Sequence, residues 1–238
     1  VLERTGIALS ESKHELVYGR LAKRLRSLGL TRFSEYCEYV ASHDEELPEV
    51  VNAITTNLTS FFRETHHFDY LRSDVIPALL HANAASRRIR IWSAGCSSGE
   101  EPYSIAMVVR ELIPENQGWD VRILATDIDT NVLDRARTGI YQADRVTGIP
   151  EQYRRRYVSK GTGDEADRIR MRDEIRNLIS FRRLNLIEEW PMHGPFDVIF
   201  CRNVVIYFDK TTQRRLFERY ADILRPGGHL FIGHSETL

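Results

Sequence analysis

Three stretches of the chain place glycines, carboxylates and a guanidinium where they can hold a small charged molecule. The first is Ala94-Gly95-Cys96-Ser97-Ser98-Gly99-Glu100-Glu101-Pro102. Its glycines let backbone approach a ligand closely. The spacing is GxSxG rather than the dinucleotide GxGxxG, and GxSxG is also the hydrolase nucleophile elbow. A hydrolase would need a later carboxylate and histidine, for which Asp209 and His234 are nominal partners. A plain turn between strand and helix is the reading without a ligand. The second stretch is Ala125-Thr126-Asp127-Ile128-Asp129, where a carboxylate can accept two hydrogen bonds from a ribose diol. The third is Cys201-Arg202-Asn203-Val204-Val205-Ile206-Tyr207-Phe208. An Arg-Asn pair closing an apolar run is costly to bury without partners. Tyr207 can bring a hydroxyl to the same crevice.

Charge narrows the ligand. Glu100 and Glu101 stand where a dinucleotide fold offers uncluttered amides to pyrophosphate. Two carboxylates repel phosphate and favour a cation. S-adenosylmethionine has a ribose, an ammonium and a sulfonium, and no phosphate, so electrostatics favours it over NAD.

These stretches need strands that end in one crevice, and the pattern from Arg88 onward supplies them. Ile89–Ala94, Val121–Thr126, Phe196–Cys201 and His229–Gly233 read as strands. Helices over 102–112, from 131 and over 211–224 alternate with them, which predicts a parallel sheet covered on both faces. Ligands in such sheets bind at the carboxyl ends of the strands, where strand order switches. Between residues 160 and 185 the rhythm breaks. Strands over 168–171 and 178–183, with a polar turn near Asp173-Glu174, predict an antiparallel insertion whose last strand returns to the main sheet. Trp92 and Trp190 are expected as packing residues.

The first third reads as short helices. Ser12 and Glu15 fit a capping box before Leu21, Leu25 and Leu28, and Gly29 is placed to end that helix. Residues 31–41 form a second helix with Phe33, Tyr36, Cys37 and Val40 inward. Ser42 and Glu45 fit a second capping box, opening a third helix through Ile54. Arg20, Lys23 and Arg24 share one helix face.

Composition sets outer limits. The 238 residues are 42% hydrophobic and 28% charged, with 33 Lys+Arg against 34 Asp+Glu. That is ordinary globular composition, and near-neutrality disfavours a whole-surface grip on nucleic acid. No stretch approaches the roughly 20 apolar residues of a membrane span, and the N-terminus lacks a signal-peptide layout. Cys37, Cys96 and Cys201 are few, odd in number and widely spaced, which favours a reducing cytoplasmic setting. His66 and His67, adjacent on a helix, are expected to point about 100° apart, so no shared metal is expected. Charge is uneven, with seven Lys/Arg against three Asp/Glu in residues 1–32 and thirteen against seven in 135–183. These are either solvated faces or patches for an acidic partner.

The motifs together resemble the CheR family of chemotaxis receptor methyltransferases. The resemblance is carried by Asn57-Leu58-Thr59-Ser60-Phe61-Phe62-Arg63-Glu64, by the three stretches above extended to Ser104, and by Gly233-His234-Ser235-Glu236. It implies a Rossmann-like class I methyltransferase α/β sheet, a small helical N-terminal domain (residues 1–56), a linker and connecting helix (57–87), and a catalytic domain (88–238). An antiparallel β-subdomain insertion would span about 158–183. S-adenosylmethionine would be the donor, S-adenosylhomocysteine the product, and glutamates of the chemoreceptor cytoplasmic signalling domain the acceptors.

By motif position, the resemblance implies cofactor contacts from Asn57, Thr59, Arg63 and Gly95. Glu101 would hold the ammonium or nearby groups and Asp127 the ribose. Asn185, Leu186, Arg202 and Asn203 would border the adenine, with Arg63 and Tyr207 nearest the methyl. An internal salt bridge from Arg63 to Glu64 or Glu101 is the competing reading. Arg20, Lys23 and Arg24 would dock the receptor; in some members of the family the β-subdomain takes a receptor C-terminal tether by strand addition, and the sequence leaves open whether this chain does. The family continues beyond the position of Leu238 into a hairpin, so a longer sheet is expected. A methyltransferase with another acceptor, or a non-catalytic cofactor-binding module that docks on receptors, fits the same residues.

Overall fold

Phe196–Cys201 is buried at all six positions, as a strand covered on both faces must be. The computed structural model, which describes residues 5–7 and 14–237, places it inside a five-stranded parallel sheet. The strands are β1 (Arg88–Ala94), β2 (Asp120–Asp127), β6 (Ile179–Arg183), β7 (Phe196–Cys201) and β8 (Leu224–Ile232). Their order is β6-β2-β1-β7-β8, all parallel. The chain thus runs outward from β1 to β6 and returns to the other side of β1. The switch falls between β1 and β7, whose carboxyl ends are the first and third motif stretches.

Helices α6 (Glu100–Leu112), α7 (Thr130–Thr138) and α10 (Lys210–Ile223) follow β1, β2 and β7. One core cluster joins α6 to one face of the sheet through Ile105, Met107, Val109, Ile89 and Ile91. The other face carries Trp92, Ile199, Leu216 and Tyr220. Trp92 meets Trp190 edge-on at 4.8 Å and donates its indole N–H to Thr126 Oγ1 at 2.9 Å, so both tryptophans pack as expected.

Residues 57–87 do more than connect. Helix α4 (His66–Tyr70) continues through a π-helical turn (Leu71–Val75) into α5 (Ile76–Ala82), and Phe68, Leu71, Val75 and Ile76 enter the main core. The antiparallel insertion forms a separate three-stranded sheet ordered β3-β5-β4, from Ile140–Gln142, Arg168–Met171 and Val158–Lys160. It therefore begins earlier than 158, with a short strand that three residues cannot signal by alternation. It also ends earlier than 183, because β6 pairs with β2. Helix α8 (Glu151–Tyr157) leads into β4, and the expected turn at Asp173-Glu174 is the short helix α9 (Asp173–Arg176).

The N-terminal module contains α1 (His14–Ser27), α2 (Phe33–Ser42) and α3 (Leu47–Ile54) around Leu25, Tyr36 and Val50. Gly29 takes the left-handed conformation expected of it, at φ 73°. The first capping box falls partly on residues 12 and 13, outside the described residues. The second does not form: the Ser42 hydroxyl turns back to the Glu38 and Tyr39 carbonyls, and a 3-10 turn (Asp44–Glu46) leads into α3. Cys37 is exposed rather than inward.

The basic face of α1 is also largely spoken for. Arg24 pairs bidentately with the buried Glu46 at 2.7 and 2.6 Å, and the Tyr36 hydroxyl donates to the same carboxylate at 2.7 Å. Arg20 donates to the Ala53 and Thr55 carbonyls at the end of α3. Arg20 and Lys23 are both exposed and Arg24 is half-buried. Arginine forks suit such internal bonds, which helical spacing on α1 cannot reveal because the partners lie 22 to 35 residues away.

Hydrogen bonds from Arg24, the largest effect, hold Glu46 below its ordinary pKa despite its burial. A depressed carboxylate contributes stability above its unfolded pKa, lost as pH falls through the folded value. Arg24→Ala should therefore lower unfolding free energy by about 2–3 kcal/mol at pH 7, somewhat under the cost of breaking a fully buried pair because Arg24 is partly exposed. The deficit should narrow below about pH 4. Urea titrations at both pH values check this, and equal stability of the two proteins at pH 7 would count against it.

Candidate functional site

A cavity of about 450 Å³ opens at the carboxyl ends of β1, β2 and β7. That size suits a small-molecule cofactor. Asn57, Thr59, Arg63, Gly95, Glu101, Asp127, Asn185, Leu186, Arg202, Asn203 and Tyr207 all line it. Arg20, Lys23 and Arg24 do not.

The first wall is the turn after β1. The Gly95 and Cys96 amides both donate to the Thr126 carbonyl at 2.8 Å, stitching this turn to β2. Gly95 has φ 86°, and a Cβ there would lie 2.3 Å from a Val204 methyl, so only glycine fits. Gly99, at φ 97°, opens α6. The buried Ser97 hydroxyl at the cavity wall has no hydrogen-bond partner among the described residues. Here the hydrolase reading fails by position. The residue after β1 in the elbow would need its base nearby, whereas His234 bonds to Glu64 and Asp209 caps α10.

Asp127 forms the second wall. Its carboxylate accepts from the Ser97 amide at 2.8 Å and the Asp129 amide at 3.0 Å. Each carboxylate oxygen can accept more than one hydrogen bond, so capacity for a diol remains. Burial dominates its titration and pushes the pKa up to about 6, although these amides oppose it.

The third wall is organised by Arg202, whose side chain is 2% exposed. Its guanidinium lies 3.3 Å from Glu64 and 3.2 Å from Glu101, and it also donates to the Arg63 carbonyl. It stands 5.5 Å over the Phe68 ring. Rather than reaching for a ligand, the guanidinium thus cross-links three segments. Glu101 also accepts from the Ser93 hydroxyl at 2.7 Å, and its burial raises its pKa. A ligand cation would favour its ionised form. Burial would raise Glu64 too, but the His234 hydrogen bond and the Arg202 charge outweigh it and hold Glu64 at about 2.

Arg63 forms no ion pair among the described residues. It donates to the Leu58 carbonyl at 2.8 Å, while Arg202 occupies the two carboxylates considered as its salt-bridge partners. Burial raises the Tyr207 pKa against the opposing charge of Arg63, keeping the phenol protonated at neutral pH. Phe62, Glu64, Ser97 and Asn203 have positive φ, between 49° and 59°. Ser97 and Asn203 line the cavity and Phe62 and Glu64 flank the lining residue Arg63, as fits a site whose geometry is over-determined by its surroundings.

Asn57 points its amide at Asp129 (2.7 Å) rather than into the cavity. Asp129 also accepts from the Thr55 hydroxyl at 2.6 Å and caps α7 through the Asn131 and Val132 amides. Its role in anchoring residues 55–57, like that of Glu64 in holding Arg202, spans more than 70 residues and leaves no local signal. The His66 and His67 rings, expected to diverge, lie 4.2 Å apart, and their ligand atoms converge with Glu64 within 4.8 Å. The Arg202 guanidinium on the same carboxylate opposes a second cation there.

The cavity fits S-adenosylmethionine in its donor set: an ionisable Asp127 for a diol, a buried Glu101 toward a cation, a Gly95 cradle and the orphan Ser97 hydroxyl. Comparison with known proteins agrees. The family model for the SAM binding domain of CheR methyltransferase matches residues 57–238, and that for the CheR all-alpha domain matches residues 1–55. A probable chemotaxis protein methyltransferase of Rhizobium etli is 47% identical over 98% of this chain and 88% of its own. Chemotaxis protein methyltransferase 2 of Pseudomonas aeruginosa is 49% identical over 98% and 82%, and the Escherichia coli chemotaxis protein methyltransferase 45% over 100% and 81%.

If Asp127 holds the ribose diol, its ionised carboxylate accepts both hydroxyls more strongly than the neutral acid. S-adenosylhomocysteine affinity should be flat above pH 6 and fall by up to about tenfold per unit below it. Asp127→Asn should bind about 10- to 100-fold more weakly, on the scale of one or two charge-assisted hydrogen bonds, and without that pH dependence. Calorimetric titration from pH 8 to 5 measures both. Unchanged affinity of the variant would remove Asp127 from the ribose.

Proposed function

Because the chain belongs to the CheR methyltransferase family, we propose that it transfers the methyl group of S-adenosylmethionine to glutamate side chains of chemoreceptors. The products are glutamyl methyl esters and S-adenosylhomocysteine. S-adenosylmethionine supplies an electrophilic methyl on a sulfonium; the rest of the chemistry is positioning.

The observation that carries this reading is the juxtaposition of Arg63 and Tyr207 with Glu101 and Asp127 in one cavity. A glutamate carboxylate is ionised at neutral pH, with an ordinary pKa near 4.3, so the acceptor needs no general base. Arg63, tied through one nitrogen to the Leu58 carbonyl, keeps its charge for an incoming carboxylate. The protonated Tyr207 hydroxyl can donate a hydrogen bond to the same group. Asp127 holds the ribose, and Glu101 favours the cationic end of the donor. Asn185 and Leu186, with the Asn203 strand end, border the adenine. Asn57 and Thr59 act from the segment that joins the two folded parts.

The acceptor lies on the cytoplasmic signalling domain of the receptor, which places the reaction in the cytoplasm. No described helix is long and apolar enough to cross a membrane. Docking through α1 rests on Lys23, since Arg20 and Arg24 brace the module itself. A receptor tether would add to the small sheet at β4, which among the described residues pairs on one side only, with β5. The helical module (1–56) and the methyltransferase part (88–238) act as one enzyme, because residues 57–87 are built into the core and cavity of the second.

Transfer of labelled methyl from S-adenosylmethionine to receptor-containing membranes, followed by alkali, tests the function. Esters release labelled methanol, whereas N-methyl groups do not. Arg63→Ala should raise the receptor KM or lower kcat by about 10- to 100-fold, the scale of a lost charge-assisted clamp, and leave S-adenosylhomocysteine affinity within about threefold. Alkali-stable label, or none with a matched receptor, would overturn the reading.

A further inference from the structure

Glu236 follows β8 and does not line the cavity. Its buried carboxylate nevertheless accepts from four backbone amides. One oxygen takes Gly233 at 2.7 Å and Asn203 at 2.8 Å. The other takes Val204 at 2.8 Å and Val205 at 3.0 Å. Three successive amides converging on one carboxylate make an anion-holding nest, and Asn203, at φ 59°, supplies the left-handed residue it needs.

Those amides open the 3-10 turn Val205–Tyr207. The far side of the turn is fixed as well, because the Gln213 amide donates to the Val205 and Phe208 carbonyls, each at 2.9 Å. The turn is therefore held at its N–H groups by Glu236 and at its carbonyls by α10. Among the residues it brings to the cavity, Val204 packs over Gly95 and Tyr207 carries a hydroxyl. Capping a sheet end would call for one or two of these bonds, whereas the Asn203–Val205 amides concern the turn alone.

We infer that Glu236 is a positioning residue for methyl transfer, holding the Asn203–Val205 amides so that Tyr207 keeps its place at the acceptor end of the cavity. The inference rests on the role given to Tyr207 above. Glu236→Gln leaves one acceptor oxygen and turns an NH2 group toward two N–H donors. Glu236→Asp keeps both acceptors on a shorter arm.

A kinetic double-mutant cycle of Glu236→Gln with Tyr207→Phe tests it on the full chain. Glu236→Gln should lower kcat by about 10- to 100-fold, the scale of a small misplacement of a reacting group. S-adenosylhomocysteine affinity should fall much less, and Glu236→Asp should recover part of kcat. The double variant should be no slower than the slower single variant, because both changes act through one hydroxyl. Losses that multiply, or wild-type kcat in Glu236→Gln, would overturn the inference while leaving the function intact. Wild-type kcat in Tyr207→Phe would instead overturn the role of Tyr207, and this inference with it.

Discussion

A guanidinium removed from water must be matched by anions, and Arg202 meets that demand with residues from distant parts of the chain. Glu64 and the Arg63 carbonyl before it come from the loop that leads into α4, and Glu101 from the first turn of α6. Arg202 itself directly follows β7. One buried charge thus fixes the relative positions of the strand switch, the cofactor turn and the segment that carries Arg63. It also leaves the Arg63 charge uncommitted, because the carboxylates that would otherwise pair with it are occupied.

Asp129 plays the matching part at the other end of the cavity. A single carboxylate caps α7 and ties down Thr55 and Asn57. The Asn52 side chain adds bonds to Thr130 through both its amide and its oxygen. The helical module is therefore seated on the end of β2, beside Asp127, and Ile54 and Thr55 at the end of α3 line the cavity. Both fastenings are polar and largely shielded, so they specify geometry as much as stability.

The fold was largely legible, because apolar runs and turn residues report strands and helices locally. Phe196–Cys201 could be read to the residue, and the cavity-lining residues expected from the motifs all reach the cavity. What could not be read was direction. Arg202 and Asn57 sit where expected, yet their side chains bond to protein groups. Arg24 shares a helix face with Lys23 but turns to Glu46. The three-residue β3 is too short to alternate visibly, and the His66–His67 convergence depends on the bend of the preceding loop, where Phe62 and Glu64 have positive φ. Local pattern gives the element and its face; partners 20 to 140 residues away decide what a polar side chain does there.

Methyl transfer depends on where the sulfur of the donor sits, which a crystal structure with S-adenosylhomocysteine measures directly. The ribose diol is expected on the Asp127 carboxylate and the sulfur turned toward Arg63 and Tyr207, with Arg202 still held between Glu64 and Glu101. A ribose away from Asp127, or a sulfur facing away from Arg63 and Tyr207, would contradict this.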